Sequence, residues 1–210
     1  MTKAPWGLEV IRMWASRWIA GKVPESVIEY WTHGLVAPPS KKSGNGVRPI
    51  TLFETAYKLA TGLALDLHKP KIIKAVGAFQ YGALLASGAD RFVYGVRALA
   101  RLDSKLCFLA TDIKNAFGTV PRVEALKALL LHLPTLAPIM ANTWLAKFTP
   151  LAAPNSVSGF GIIHACEGVY QGECLSTAVF CIFLRMVLDT FVVNCSNAGI
   201  DNAERTEACQ

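Results

Sequence analysis

Apolar residues return at helical spacing along most of this chain. In residues 5–20, Leu8, Ile11, Trp14, Trp18 and Ile19 recur every three to five positions with polar residues between them, which predicts an amphipathic helix. Its tryptophans, Trp6, Trp14 and Trp18, are expected to pack a core. A second short helix is expected over residues 24–31, with Pro24 in its first turn and Gly34 beyond its end. Further helices are predicted over 54–67, 89–102, 136–148 and 175–192, the last with Ser176 as a cap. Another opens at Pro121, carries Val123, Leu126, Leu129, Leu130 and Leu133 at the helical period, and stops at Pro134. Residues 69–88 are expected to be less regular.

Other segments follow a different pattern. Leu35-Val36-Ala37 and Val47 to Leu52 read as strands around the loop Pro38 to Gly46, which holds two prolines, Lys41, Lys42 and Gly-Asn-Gly. Residues 150–165 read as a hairpin. Leu106 to Thr111 is a short, nearly unbroken apolar run that ends at Asp112, the pattern of a buried strand. A carboxylate cannot sit unpaired inside such a run, so Asp112 is expected at the strand's end, where it meets water, a metal ion or a phosphate. Residues 194–210 carry little apolar area and read as a loose tail. The fold class expected is α+β, helix-rich with a small antiparallel sheet.

Composition narrows the function classes. The chain is 52% hydrophobic and 17% charged over 210 residues, which excludes a disordered chain and leaves room for one good core or two lobes. The apolar stretch from Ala178 to Val193 is interrupted by Arg185 and Asp189 and reads as a buried helix, so no membrane partner is expected. The N-terminus lacks the pattern of a secretory signal. Six cysteines, 107, 166, 174, 181, 195 and 209, form no CxxC pair and read as reduced core residues of an intracellular protein, nuclear or cytoplasmic. Four histidines show no zinc spacing. Residues 1–75 hold 11 Lys and Arg against 5 Asp and Glu, and residues 76–150 hold 8 against 4, whereas residues 151–210 hold 2 against 6. A basic first two thirds suits a polyanionic partner such as nucleic acid, and also describes an ordinary solvated surface.

Four short patterns occur in order. They are Lys41-Lys42 with Arg48-Pro49-Ile50, then Phe79-Gln80-Tyr81-Gly82, then Asp112 to Phe117 continued by Val120 and Arg122, and then Gly168 to Ser176. Each alone is weak; their order carries the signal. A basic hairpin can close over a triphosphate, with Arg48 as a bidentate fork and the lysines as point charges. Asp112 is a hard oxygen donor suited to Mg²⁺. Phe117 can wall off a sugar and reject a 2′-hydroxyl by bulk. Gly168 and Gly172 let backbone approach a base or sugar closely, with Gln171 between them to hydrogen-bond there.

With these residues the chain resembles the fingers and palm of a reverse transcriptase, of the non-LTR retrotransposon and group II intron type. Val47 to Leu52 with Tyr57-Lys58-Leu59 resembles that family's "RPI…YK" fingers signature. Gln80-Tyr81-Gly82 resembles its "QxGF" element, with Ala83 in place of Phe. Asp112 to Phe117 resembles motif A, and Gly168 to Ser176 resembles motif B, "GVxQGDPLSP", with Glu173 and Cys174 in place of Asp and Pro. The resemblance covers roughly residues 23–192. It implies an N-terminal helical extension (1–22), a fingers-like region (23–105), a partial palm (106–193) and the loose tail. It further implies RNA-directed DNA synthesis from dNTPs by a two-metal mechanism on an RNA template and DNA primer. Asp112 would be the catalytic and metal-binding residue and the Ile113 carbonyl would assist with Mg²⁺. Lys42, Arg48, Phe117, Gln171 and Gly172 would bind nucleotide, and Lys41, Lys58 and Arg122 would contact nucleic acid.

The sequence also departs from that family. Its aromatic-x-Asp-Asp motif, expected after the long helix that follows motif B, is absent, because the chain contains no Asp-Asp pair. Two-metal chemistry draws on about three carboxylates, and only Asp112 is secure. The expectation is therefore a truncated polymerase unit, inactive alone. The alternative is an RNA- or protein-binding remnant without chemistry. The strand 106–111, short of a neighbour, is expected to expose an apolar edge and favour self-association.

Overall fold

The computed structural model describes residues 5–37, 48–77, 80–83, 85–108, 110–145, 149–155 and 159–197. Seven helices and four strands follow one another among them: α1 (Pro5–Ile19), α2 (Glu25–Trp31), β1 (Gly34–Ala37), β2 (Ile50–Phe53), α3 (Thr55–Val76), α4 (Gly88–Leu102), α5 (Arg122–His132), α6 (Ala137–Leu145), β3 (Thr149–Asn155), β4 (Gly159–Ala165) and α7 (Ser176–Asn197). The fold is α+β and helix-rich.

The four strands form one sheet in the order β2-β1-β3-β4. Both predicted hairpins are present. β1 runs antiparallel to β2, pairing Leu35 with Leu52, and β3 runs antiparallel to β4, pairing Leu151 with Ile163. The sheet is nonetheless mixed, because β1 and β3 pair in parallel, Gly34 with Leu151 and Leu35 with Ala152. Parallel strands need a long crossover, and here it runs through α3 to α6.

The strand expected over 106–111 does not form. The described part of this stretch is irregular, and Leu106, Phe108 and Ile113 are 44%, 54% and 51% exposed. No described strand lies beside it, and an apolar run gains nothing from extending when its backbone groups find no ladder to join. Its apolar character therefore shows as exposed surface rather than as a buried strand.

Two clusters make the core. The larger joins Ile72, Val76, Leu129, Leu136, Ile139, Met140, Leu175, Val179 and Ile182, so the end of α3 packs with α5, α6 and the start of α7. The smaller gathers Trp18, Ile28, Val36, Phe53, Tyr57, Ala60 and Tyr170. α3 belongs to both and ties them together. Trp14, Trp18 and Trp31 contact one another at centroid separations of 5.1 to 6.3 Å. The core role expected for Trp14 and Trp18 holds, whereas Trp6 is 74% exposed on the first turn of α1.

Three boundaries and burial patterns differ from the sequence reading. α3 continues through Pro70 to Val76 instead of ending at 67. Proline removes one helical hydrogen bond and crowds the preceding turn, but Ile72, Ala75 and Val76 beyond it are buried in the larger cluster and hold the chain helical. α7 reaches Asn197, past the predicted end at 192. It is the one described helix long and apolar enough to cross a membrane; its first turns are buried in the core, while Val187, Leu188, Phe191 and Val193 are exposed. Arg185 ties it to the end of α3, donating to the carbonyls of Lys74 and Ala75 at 3.2 and 2.8 Å and so satisfying acceptors that a helix terminus leaves open. Among the five described cysteines only Cys181 is buried; Cys107 and Cys166 are exposed and Cys174 and Cys195 half-buried, so the expectation of core cysteines fails for those four.

Candidate functional site

The turn from Gly168 to Cys174 lies between β4 and α7, and it draws together residues far apart in sequence. On one side it meets the end of the segment that follows Asp112. Gly168 N–H donates to Val120 carbonyl at 3.0 Å and Val169 N–H to Phe117 carbonyl at 2.8 Å. On the other side it meets β2 of the β1–β2 pair. Thr51 N–H donates to Gln171 carbonyl at 2.7 Å, and Ile50 and Gln171 form an isolated parallel bridge. Three of the four sequence patterns thus converge on one turn.

Two glycines make this convergence possible. Gly172 has φ +104°, and a Cβ on it would stand 2.4 Å from the Thr51 carbonyl oxygen. Gly168 has φ +77°, and a Cβ there would stand 2.7 Å from the Gly118 carbonyl oxygen and 2.8 Å from that of Phe117. Positive φ and backbone contact both demand glycine. The close approach these glycines allow is made to the protein's own backbone, whereas the sequence reading expected a base or sugar there.

The remaining predicted site residues are distributed as follows. Lys41 and Lys42 lie outside the described residues. Arg48 is exposed two residues before the Ile50–Gln171 bridge. Asp112 and Ile113 are exposed on the irregular segment, outside the sheet, so the expected placement of Asp112 at the rim of a palm sheet is corrected. Lys58 is half-buried on α3, and its carbonyl accepts from Cys174 Sγ at 3.8 Å. Phe117 stacks on Phe180 of α7 at 5.1 Å and 14°, packed against the larger core cluster. Gln80 folds its side chain back to accept the Gly82 N–H at 3.1 Å.

Arg122, expected to contact nucleic acid, is committed internally. Its Nε donates to Gly168 carbonyl at 3.0 Å, Nη1 to Ala165 carbonyl at 3.0 Å and Nη2 to Tyr170 hydroxyl at 2.6 Å. Its guanidinium also lies 5.2 Å from the Tyr170 ring centre and 5.8 Å from that of Trp144. This fork brackets the start of the turn.

Sequence reasoning missed the group beneath the turn. Glu173 is 6% exposed. Tyr57 hydroxyl donates to its Oε1 at 3.0 Å, and Ser176 hydroxyl donates to its Oε2. Ser176 Oγ in turn accepts the Tyr170 N–H at 3.1 Å, so it serves this network rather than capping α7 as expected. Burial pushes the Glu173 carboxyl above the usual carboxylate range, against the opposing pull of Ser176, Tyr57 and Arg122. Burial likewise pushes the Tyr57 phenol well up, and the Glu173 charge adds to it. The available signal was a carboxylate followed directly by Cys174-Leu175-Ser176 and the apolar helix, a place where a carboxylate needs partners.

Among the described residues, no three His, Cys, Asp or Glu side chains come together to hold a metal ion. The donors therefore do not fit a two-metal centre, and Asp112 with the Ile113 carbonyl is the only part of one that the sequence patterns supply. Compared with known proteins, the chain matches no family model, no curated protein and no solved structure.

Proposed function

We propose that this chain is a fingers–palm unit of the reverse-transcriptase type, which holds an RNA template, a DNA primer and a dNTP but does not turn over alone. The observation that carries the reading is the Gly168–Cys174 turn, which hydrogen-bonds both to the segment following Asp112 and to the hairpin that presents Arg48. The turn brings Gln171 against Ile50 and Thr51 of β2 through its backbone. Arg48, two residues before the Ile50–Gln171 bridge, supplies counter-charge for phosphates. One Mg²⁺ could contact Asp112 and the Ile113 carbonyl, but the other carboxylates of a metal pair are not among the described residues, so no chemical step is assigned to this chain.

The test is primer extension on an RNA template with Mg²⁺ and dNTPs, run beside binding of the same template–primer. The reading expects binding without extension. Extension that disappears in Asp112→Ala would overturn the claim of inactivity, and absence of binding would overturn the reading itself.

A second reading, an RNA-binding remnant with no nucleotide pocket, is favoured because no group of three His, Cys, Asp or Glu side chains able to hold a metal ion occurs among the described residues. It predicts salt-dependent RNA binding that added dNTP does not change, because phosphate contacts need only Lys and Arg.

A further inference from the structure

An apolar residue of similar volume would fill the space under the Gln171 turn without the cost of burying a carboxylate. What Glu173 adds is direction. Its two oxygens are bound separately, Oε1 by Tyr57, 116 residues away in sequence on α3, and Oε2 by Ser176 at the first residue of α7. Ser176 then receives the Tyr170 N–H, so the residue before Gln171 is held by the same network. Tyr57 packs edge-on to Trp18 at 5.7 Å and tilts over Phe53 of β2 at 5.0 Å, and Phe53 meets Tyr170 at 5.1 Å. The carboxylate is thus connected to the strand that receives the turn as well as to the turn itself.

We propose that Glu173 is a positioning residue, whose buried carboxylate spans Tyr57 and Ser176 and fixes the Gln171–Gly172 turn at hydrogen-bonding distance from Thr51 of β2. Every group in this chain of contacts has a defined role. Tyr57 and Ser176 donate, Glu173 accepts twice, and Arg122 fixes Tyr170 from the opposite side at 2.6 Å. Loss of either donor leaves a buried carboxylate oxygen unmatched, which is costly enough to shift the local backbone. The turn meets β2 at the Thr51–Gln171 bond and the Ile50–Gln171 bridge, so a shift of the network is read first at the Thr51 amide. Any effect of Glu173 on nucleotide binding rests on the function proposed above; the positioning itself does not.

Amide hydrogen exchange in the full 210-residue chain tests this. Tyr57→Phe deletes one hydroxyl and keeps the ring packing, and Glu173→Gln keeps the shape while replacing one acceptor oxygen with a donor. In both variants the Thr51 amide, which reads the bond to Gln171, is expected to exchange about tenfold faster, with the Leu129 amide in the larger core changed by less than about twofold. A purely structural role would speed both amides together. That result, or an unchanged Thr51 amide, would overturn the proposal. Equilibrium dialysis of the wild-type chain with Mg²⁺ and dTTP separates the two claims: absence of dTTP binding would overturn the proposed function, while the Thr51-to-Leu129 ratio decides the positioning role.

Discussion

Arg122 Nη2 lies 2.6 Å from Tyr170 Oη, and the same guanidinium sits 5.2 Å from the centre of that tyrosine's ring. A planar fork with five donors is suited to such a post, and an ammonium is not. Arg122→Lys keeps the charge but abandons at least two of the three hydrogen bonds. Both Arg122→Lys and Arg122→Ala are expected to lower unfolding free energy by about 2–4 kcal/mol, because the Gly168 and Ala165 carbonyls lose charged donors. Urea unfolding checks this. A loss of RNA affinity with unchanged stability would instead return Arg122 to the role of a nucleic-acid contact.

Gly172 offers a sharper case. A methyl group there collides with the Thr51 carbonyl at 2.4 Å while the backbone stands at φ +104°. Gly172→Ala is expected to cost about 2 kcal/mol or more, the sum of strain at positive φ and a displaced backbone. It should also shift the Thr51 and Gln171 amide resonances more than those of α5. A Gly172→Ala variant as stable as the wild type would mean that the turn does not sit this close to β2.

The buried carboxylate also gives a pH signature. Burial raises the folded-state affinity of Glu173 for its proton, the Arg122 charge and the Tyr57 and Ser176 bonds opposing it. Tyr57 and Tyr170 are the other titratable groups facing the network, and Tyr57, pushed above its ordinary value of 10.0, stays neutral across this range. The stability Glu173 contributes is therefore complete below the ordinary carboxyl value of 4.5 and is lost as pH rises from there through the folded value. The stability difference between wild type and Glu173→Gln should shift against the wild type as pH rises from about 4 to about 8, measured by urea midpoints. A pH-independent difference would contradict a buried carboxyl whose proton affinity is raised by folding.

Exposed apolar surface on α4 and the segment after it predicts self-association. Only Gly88 of α4 is buried, and Phe92, Val93, Leu106 and Phe108 are 55%, 43%, 44% and 54% exposed. Phe92, Val96 and Leu99 share one side of the helix, opposite Arg97 and Arg101. Contiguous apolar area of this kind drives association. Light scattering of the isolated chain is expected to show concentration-dependent mass, reduced in a Phe92→Asp, Phe108→Asp double variant. A monodisperse monomer at high concentration would refute this.

Much of the helical frame was legible from the period, the buried faces less so. Trp14 and Trp18 lie on the side of α1 that meets Trp31 and Tyr57, but the helix opened by Pro121 buries Ala125, Ala128 and Leu129 while Val123 and Leu130 of its expected apolar face are exposed. Where the expected boundary competed with packing, packing won: α3 was expected to end at 67, and the buried Ile72 and Val76 carry it through Pro70 to Val76. Leu106 to Thr111 misled for the opposite reason. Its pattern was that of a buried strand, but a strand is a property of two segments, and no described strand adjoins it. In the candidate site, the pattern Gly168 to Ser176 marked the turn, though its glycines press on the protein's own backbone. The internal commitment of Arg122 and the Tyr57 arm of the Glu173 network were not legible, since these contacts join residues 43 and 116 apart in sequence.

The central claim is that the Gly168–Cys174 turn, with the hairpin base at Arg48 to Thr51, is a surface for template–primer and nucleotide. Chemical-shift mapping of the isotopically labelled chain against an RNA–DNA template–primer and Mg²⁺ with dTTP addresses it most directly. The account predicts that the largest perturbations fall on the amides of Arg48, Thr51, Gln171 and Gly172. Perturbations confined to α1 or to the end of α7, or none at all, would contradict it.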